Sequence, residues 1–351
     1  MKLLVAGGCG FIGSHFIEYF LKTYPKAHIT NLDCLTYAAH PDMPAHLARL
    51  DPNRYCFVPK DISDPMLKSW VKEFKFDAIV NFAAETHVDR SILDPDSFVR
   101  TNVMGVQNLL AVAREGGNIR FVHVSTDEVY GSLKPTDAPS VEASALDPNS
   151  PYAASKAAAD LIALASSRTY KQPVLITRCT NNYGPYQFPE KLLPLLIANA
   201  LENKSVPVYG DGLQVRDWIY VVDHCRGIDA VLQKGKSGEV YNISACGEAP
   251  NITVIKKVLD LLGKPHSLIS FVGDRPAHDR RYGLDSTKIR TELGWKPLVS
   301  FEEGLKTTVD WYLQNVEWWK KVRGSDYQKY YQANYDQKFV VKNANKSEVN
   351  S

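Results

Sequence analysis

The sequence predicts an α/β protein: a doubly wound parallel sheet followed by a smaller, less regular α/β unit. Three observations predict it. Short apolar runs alternate with helical patterns through the first half, as βαβ units do. The runs are almost continuously apolar, as strands covered on both faces must be. A glycine-rich turn joins the first run to the first helical pattern.

Taken in order, Lys2–Ala6 reads as a buried strand and Phe11–Tyr24 as a helix with Phe16, Phe20 and Leu21 on one stripe. His28–Asp33, Tyr55–Val58, Asp77–Phe82 and Ile119–Ser125 read as four more strands. Asp94–Glu115 and Tyr152–Tyr170 read as helices with small and apolar residues on more than one face. From about residue 183, Pro185, Pro189, Pro194, Pro207, Pro250, Pro265, Pro276 and Pro297 break the pattern into shorter pieces. Trp218–Val222 and Glu239–Ile243 are strand-like runs expected to return to the main sheet. No internal repeat of solenoid period is present. Residues 336–351 form a polar, Asn/Lys-rich stretch and read as a frayed tail.

Composition excludes several classes. The 351 residues are 44% apolar and 23% charged, a globular balance that rules out disorder as the main state. Lys plus Arg total 41 against 39 Asp plus Glu, a net charge of +2. No positive field points to nucleic acid or an anionic membrane. The longest uncharged apolar stretch, Leu192–Leu201, is too short to span a bilayer. The start, MKLLVAGGCG, lacks the long apolar core and cleavage site of a secretion signal. Cys9, Cys34, Cys56, Cys179, Cys225 and Cys246 are scattered, with no CxxC pair. Reduced cytoplasmic thiols are the expectation. No His/Cys cluster has metal-ligand spacing, so no metal is expected.

Residues 7–13 read Gly7-Gly8-Cys9-Gly10-Phe11-Ile12-Gly13. Gly8-x-Gly10-x-x-Gly13 and Gly7-x-x-Gly10-x-x-Gly13 both match dinucleotide fingerprints. Such a loop must turn sharply, let backbone N–H groups approach a pyrophosphate, and pack a helix tightly on a strand. The helix N-terminus then faces the phosphates. Asp33 closes the second strand twenty residues after Gly13, where an acid grips ribose hydroxyls and repels the extra phosphate of NADP. NAD is the expected cofactor, on a Rossmann-type fold. Asp61-Ile62 would contact the adenine edge, and Phe82-Ala83-Ala84 would allow close backbone approach. Residues 1–182 then form the cofactor unit, with segments near 217–246 returning to it, and 183–335 mainly a substrate unit.

Two groups of residues carry candidate chemistry. Tyr152 and Lys156 lie i, i+4 on a helix that follows Asn149-Ser150-Pro151 and so share a face. A nearby ammonium favours the phenolate, a base able to take a hydroxyl proton while hydride leaves. Asp127-Glu128 stand at the end of the fifth strand in Ser125-Thr126-Asp127-Glu128-Val129-Tyr130-Gly131. That is where ligands bind in open α/β sheets. On an extended segment the two point differently, so one can be a protonated acid and the other a base. An acid and base beside a hydride carrier suggest elimination of water as well as redox.

GGCGFIG, the Tyr152–Lys156 pair and the length together resemble the extended short-chain dehydrogenase/reductase family. NLDCLTYA at 31–38, AETHVDRSI at 84–92, STDEVYG at 125–131 and PYAASKAAAD at 151–160 narrow this further. So do NNYGPYQFPEKLLPLLI at 181–197, YGDGLQVRDWIYVVDHC at 209–225 and RPAHDRRYGLD at 275–285. Together these runs are similar to the branch of 4,6-dehydratases that act on dTDP-glucose, over about residues 2–315.

The resemblance implies a three-step reaction on a nucleotide sugar with recycled NAD. It gives Tyr152 the proton of the sugar 4-hydroxyl and makes Lys156 its modulator and the holder of the nicotinamide ribose. Thr126 would bond the oxygen on carbon 4, Glu128 would take the hydrogen of carbon 5, and Asp127 would protonate the leaving 6-hydroxyl. It adds Cys34, Leu35, Thr36, Thr86, Thr101 and Asn182 to the cofactor contacts. For the nucleotide sugar it implies Thr86, Thr126, Asn181, Lys191, Leu192, Pro207, Val208, Tyr209, Arg216, Asn251, Asp274, Arg275 and His278. It also implies a homodimer through a four-helix interface.

Three places depart from the family pattern. Ala277 stands where Gly is usual, Cys34 where Lys or Asn is common, and Ala38-Ala39-His40 for Ala-Gly-Asn. Three other readings share parts of the pattern: a 4,6-dehydratase of UDP-glucose or another nucleotide hexose, a nucleotide-sugar 4-epimerase, and a non-catalytic NAD-binding regulator.

Overall fold

A computed structural model of the chain describes residues 1–71, 74–324, 327 and 331; the expected polar tail lies outside them. The strands are β1 (Lys2–Ala6), β2 (His28–Asp33), β3 (Tyr55–Pro59), β4 (Ala78–Asn81), β5 (Arg120–Thr126) and β6 (Val174–Cys179). There follow β7 (Asn181–Tyr183), β8 (Val206–Tyr209), β9 (Val215–Tyr220), β10 (Val240–Ile243), β11 (Glu248–Pro250) and β12 (Ile269–Val272). The main sheet runs β10-β6-β5-β4-β1-β2-β3, and every pairing in it is parallel. The order reverses between β1 and β4, so a crevice opens beyond their C-terminal ends.

Alternation along β1 feeds two cores. Leu3 and Val5 pack with Phe16, Ile17 and Phe20 of the Phe11–Thr23 helix on one face. Leu4 and Ala6 pack with Val106, Leu109 and Leu110 of the Val106–Glu115 helix on the other. Burial on both faces explains why these strands read as unbroken apolar runs. A third core gathers Tyr183, Leu193, Leu196, Val208, Trp218, Val254, Leu305 and Trp319.

Some expectations change. Glu239–Ile243 does return to the main sheet, as β10 at its edge. Trp218–Val222 does not. Its first residues belong to β9, which pairs with β7 and β11 in a separate three-stranded sheet. Val221 and Val222 open the next helix, Val221–Lys234, because β10 already occupies the open edge of β6.

The helix expected over Asp94–Glu115 is composite. Asp94 accepts from Ser97 N at the start of Pro95–Phe98, a π-helical turn spans Val99–Gly105, and α-helix resumes at Val106. Such turns cluster at functional sites. Here the turn holds Thr101 in the crevice and aims Asn102 at the loop after β4. Asn102 accepts from Glu85 N at 2.9 Å and donates to Glu85 O at 3.0 Å and Ser155 Oγ at 2.8 Å.

Candidate active site

The glycine loop sits between β1 and the first helix. Gly7 has φ +78°, and a Cβ there would fall 2.4 Å from Ala83 N. A Cβ on Gly13 would fall 2.2 Å from the Gly7 carbonyl oxygen. Gly10 opens the Phe11–Thr23 helix with no side-chain cap, and the first turn holds no acid. The free N–H groups of that turn therefore face the crevice, which suits a pyrophosphate. The Asp33 carboxylate accepts from Cys9 N and Leu35 N, each at 2.8 Å. Burial pushes it up, and those two N–H bonds pull it back. This cradle, which a Cβ at Gly7 or Gly13 would fill, fits a dinucleotide.

One cavity joins the loop to the catalytic candidates. It is lined by Gly7, Gly10, Phe11, Ile12, Gly13, Asp33, Cys34, Thr36, Asp61, Ile62, Phe82, Ala83, Ala84, Thr86 and Thr101. It continues past Thr126, Asp127, Glu128, Tyr152, Lys156, Asn181, Asn182 and Lys191. Leu35 is the cofactor candidate outside it. Its φ of 53° turns the exposed side chain away while its N–H serves Asp33.

Ser150 caps the Pro151–Tyr170 helix by accepting from Ala153 N, with Pro151 in the first turn. That start orients Tyr152 and Lys156 inward, both buried. Burial drives the Tyr152 phenol well above its ordinary value, the Glu128 charge adds to this, and a hydrogen bond from Thr126 opposes it. Lys156 donates to Val124 O at 2.8 Å, and its ammonium lies 3.4 Å from His123 Nε2. Burial lowers it to about 8, opposed by Asp160.

Asp127 and Glu128 do not continue the strand. They begin a 3₁₀ turn, Asp127–Tyr130, in which the Thr126 hydroxyl accepts from Glu128 N at 3.3 Å. Asp127 is buried and its Oδ2 has no partner in the protein. Burial, then the Glu128 charge, holds its carboxyl well above the usual carboxylate range. Burial therefore favours the proton-bearing form of Asp127, which lines the cavity.

The remaining substrate candidates form a second cluster against the first. Arg216 is buried, donates to Val215 O and Asp279 O, and lies over the Tyr282 ring at 4.2 Å. The Tyr282 hydroxyl reaches Asp279 Oδ2 at 2.5 Å and Glu128 Oε2 at 3.4 Å. Tyr209 donates to Asp89 at 2.7 Å, and Arg275 pairs with the same carboxylate at 3.6 Å. His278 bonds Asp274 at 2.5 Å and stands edge-on to Tyr209. Asn251 opens the Asn251–Leu261 helix with its Oδ1 buried and unpartnered.

Val208 belongs to the third core, with Leu192 packed against it, and Pro207 is buried in β8. None of these three lines the cavity. Two of the departures also have a structural reading. Ala277 adopts φ 50°, left-handed backbone that favours glycine. His40 is buried and stacks on Trp318 at 5.2 Å, so the segment beside the cofactor loop is packed down.

Several residues escape sequence reasoning. Ser125, Cys179, Thr180, Gln187 and Glu190 line the cavity. Tyr282 lies within the quoted RPAHDRRYGLD run, where its aromatic ring next to Arg280-Arg281 was the available signal. His123, Asp160 and Arg178 form a buried network under Lys156, with Arg178 Nε 2.8 Å from Asp160. A His inside an apolar strand gave no sign of it.

The glycine loop, the strand-end acids and the Tyr–Lys helix define a Rossmann-type, dinucleotide-dependent protein of the extended short-chain dehydrogenase/reductase class. The sequence profile of GDP-mannose 4,6 dehydratase matches residues 4–308. The dTDP-glucose 4,6-dehydratase of Streptomyces niveus is 50% identical over 93% of this chain and 97% of its own length. That of Salmonella typhimurium is 44% identical over 96% and 99%.

Among solved structures, DesIV, the dTDP-glucose 4,6-dehydratase from Streptomyces venezuelae with NAD and TYD bound, matches with a TM-score of 0.87. It is 50% identical and covers 92% of this chain and 100% of its own. UDP-glucose 4-epimerase from Thermotoga maritima shares the fold at 27% identity and a TM-score of 0.82, over 90% of this chain and 100% of its own. The chain belongs to the GDP-mannose 4,6 dehydratase family and, within it, to the dTDP-glucose 4,6-dehydratases.

Proposed function

We propose that this protein converts dTDP-glucose to dTDP-4-keto-6-deoxyglucose with NAD as a recycled cofactor. The observation that carries this is the acid–base pair: Asp127, with a buried oxygen that has no protein partner, beside Glu128, in one cavity with Tyr152 and Lys156; burial favours the proton-bearing form of Asp127. NAD⁺, when bound, accepts the hydride of carbon 4 and later returns it at carbon 6. Gly7, Gly10 and Gly13 admit its pyrophosphate and Asp33 holds its adenosine ribose. Tyr152 takes the proton of the 4-hydroxyl as the ketone forms, with Thr126 bonded to the same oxygen. The ketone acidifies the hydrogen on carbon 5, which Glu128 removes. Asp127 protonates the 6-hydroxyl so that it departs as water. Glu128 then returns its proton to carbon 5.

Residues 183–335 mainly hold the nucleotide sugar in this reading. Arg216 and Arg275 meet the diphosphate, where a guanidinium fork matches phosphate oxygens. Val99, Met104 and Leu161 leave apolar side chains 50–61% exposed on the π-helical turn and the packed Pro151–Tyr170 helix. This supports a homodimer across those helices. Ala153, Ala157 and Ala159 are buried within the protomer and serve its own packing. All six cysteines are unpaired, which supports a reducing, cytoplasmic setting. Among the described residues no helix is long and apolar enough to cross a membrane.

The test is incubation with NAD and either dTDP-glucose or UDP-glucose, then alkali. A 4-keto-6-deoxy product gains near-ultraviolet absorbance, and turnover is expected to be faster with dTDP-glucose. A galactose-configured product with no such absorbance sinks the proposal in favour of an epimerase. One methyl group in a pocket discriminates by only about 1–3 kcal/mol, so the two nucleotides are compared as kcat/KM.

A further inference from the structure

One wall of the cofactor cavity is a loop that no sheet holds. It runs over residues 34–42, between Asp33 at the end of β2 and the Met43–Leu50 helix. Cys34, Thr36, Ala38 and Ala39 of this loop line the cavity beside Asp33. The backbone bonds it makes for itself are local: Ala39 N donates to Thr36 O at 3.0 Å and Met43 N to His40 O at 2.9 Å. A segment bonded this lightly opens at low cost unless side chains fasten it.

Side chains fasten it at two points. The Tyr37 hydroxyl donates to Glu190 at 3.1 Å, and the Arg90 guanidinium covers its ring at 3.7 Å. Three residues on, His40 is buried and stacks on Trp318, with centroids 5.2 Å apart and planes at 15°. Asp42 N donates to His40 Nδ1 at 3.1 Å, which fixes the imidazole in that pose. Trp318 lies on the Val316–Val322 helix, packs on the third core and stands edge-on to Trp311 at 5.1 Å. One turn further along the same helix, Lys321 pairs with Asp42. The loop beside the cofactor is thus pinned to the third core through one aromatic stack. The family pattern has Asn in place of His40, and an amide has no ring to stack, so this contact is the chain's own.

We propose that His40 and Trp318 form a latch that retains NAD. They are positioning residues that hold Ala38 and Ala39 against the cofactor, which leaves only when the stack parts. The role rests on NAD occupying this cavity. In the reaction proposed above, NAD ends each turnover in the form in which it began. It has no need to leave, so a closed latch does not slow turnover. Neither His40 nor Trp318 lines the cavity, and both act through the loop alone. The Asp42–Lys321 pair is exposed at both ends and adds little to the stack.

The experiment loads the full-length protein with radiolabelled NAD, adds excess unlabelled NAD and follows the label retained by rapid filtration. His40→Ala and Trp318→Leu break the stack from its two sides, and His40→Phe keeps an aromatic ring in place. Each of the first two is expected to release NAD about tenfold faster, the worth of one aromatic pair. Their kcat at saturating NAD stays within about twofold of wild type, because no reacting group moves. His40→Phe is expected to keep the slow release. The double variant His40→Ala/Trp318→Leu releases NAD no faster than either single one, since both break the same contact. Thermal melts show which variants are folded, and either single variant decides the matter if the other is not. Wild-type release rates in a folded single variant overturn the latch, as do single effects that multiply in the double. A fall in kcat at saturating NAD with unchanged release also overturns it. A wild type that takes up no labelled NAD is a different result, the failure of the cofactor reading itself.

Discussion

Gly13→Ala probes the cofactor cradle with a magnitude the structure supplies. The added Cβ would stand 2.2 Å from the Gly7 carbonyl oxygen and 2.8 Å from Gly8 Cα, where ordinary contact begins at 3.4 Å. Both obstacles are backbone, so no side chain can swing aside. The first turn of the Phe11–Thr23 helix and the loop must part by about 1 Å. The strain of such overpacking is about 1–3 kcal/mol.

The same shift carries the loop N–H groups out of line with a pyrophosphate. Losing two hydrogen bonds to a charged group costs about 3–6 kcal/mol, or roughly 10²–10⁴-fold in NAD affinity. Gly10→Ala is the control, because its Cβ meets only Gly7 O at 3.4 Å. The assay is calorimetric titration of the cofactor-free protein with NAD, alongside thermal melts. Gly13→Ala is expected to lose both affinity and melting temperature, and Gly10→Ala to keep its melting temperature. NAD binding by Gly13→Ala within threefold of wild type, with an unchanged melt, refutes the close-approach argument.

Other perturbations follow from the same geometry. Asp127→Asn removes the acid but keeps the shape, so turnover falls by about 10²–10⁴-fold, and stopped-flow absorbance shows reduced cofactor accumulating. The same variant separates stability from activity. The folded Asp127 keeps its proton above the unfolded carboxyl value of about 4, so above that pH the unfolded wild type binds fewer protons than the folded one and wild-type stability falls. Denaturant melts across pH should therefore show Asp127→Asn as stable as wild type below about pH 4 and increasingly more stable above it. Ala277→Gly relieves left-handed backbone at φ 50°, a net gain of about 0.5–1 kcal/mol, seen as a rise of about 1–2 °C in Tm. Leu161→Asp puts a charge on the exposed apolar stripe; if the proposed dimer forms there, sedimentation should show a dimer for the wild type and a monomer for the variant.

The parts legible in the sequence are those with a fixed period or a steric demand. Strands β1, β2, β4 and β5 announced themselves because both faces are covered, and the glycine loop because backbone crowding at Gly7 and Gly13 excludes side chains; β6, equally buried, was missed. Tyr152 and Lys156 were legible because Ser150-Pro151 fixes where their helix starts. Long-range pairing was not legible. Nothing local in Trp218–Val222 says that β9 joins β7 and β11 rather than the main sheet. The π-helical turn over Val99–Gly105 has the same periodic pattern as ordinary helix.

Within the site, resemblance placed Arg216 near phosphate, yet its link to Glu128 through Tyr282 needs coordinates. The same holds for the His123–Asp160–Arg178 network, whose members come from β5, the Pro151–Tyr170 helix and β6. Val208 could not be told from a binding residue by type alone, because an apolar residue lines a core and a pocket equally well. Thr126 was legible as a substrate contact, but its bond to Asp127 depends on the 3₁₀ turn that replaced the expected extended backbone.

The central claim is that hydrogen removed from carbon 4 is redelivered to carbon 6 while water leaves across carbons 5 and 6. It is tested most directly with dTDP-glucose carrying deuterium at carbon 4, incubated with the NAD-loaded protein and followed by nuclear magnetic resonance. The account predicts a 4-keto sugar whose carbon 6 methyl holds the deuterium. Deuterium remaining on carbon 4 of an epimerised sugar, with carbon 6 still hydroxylated, would contradict it.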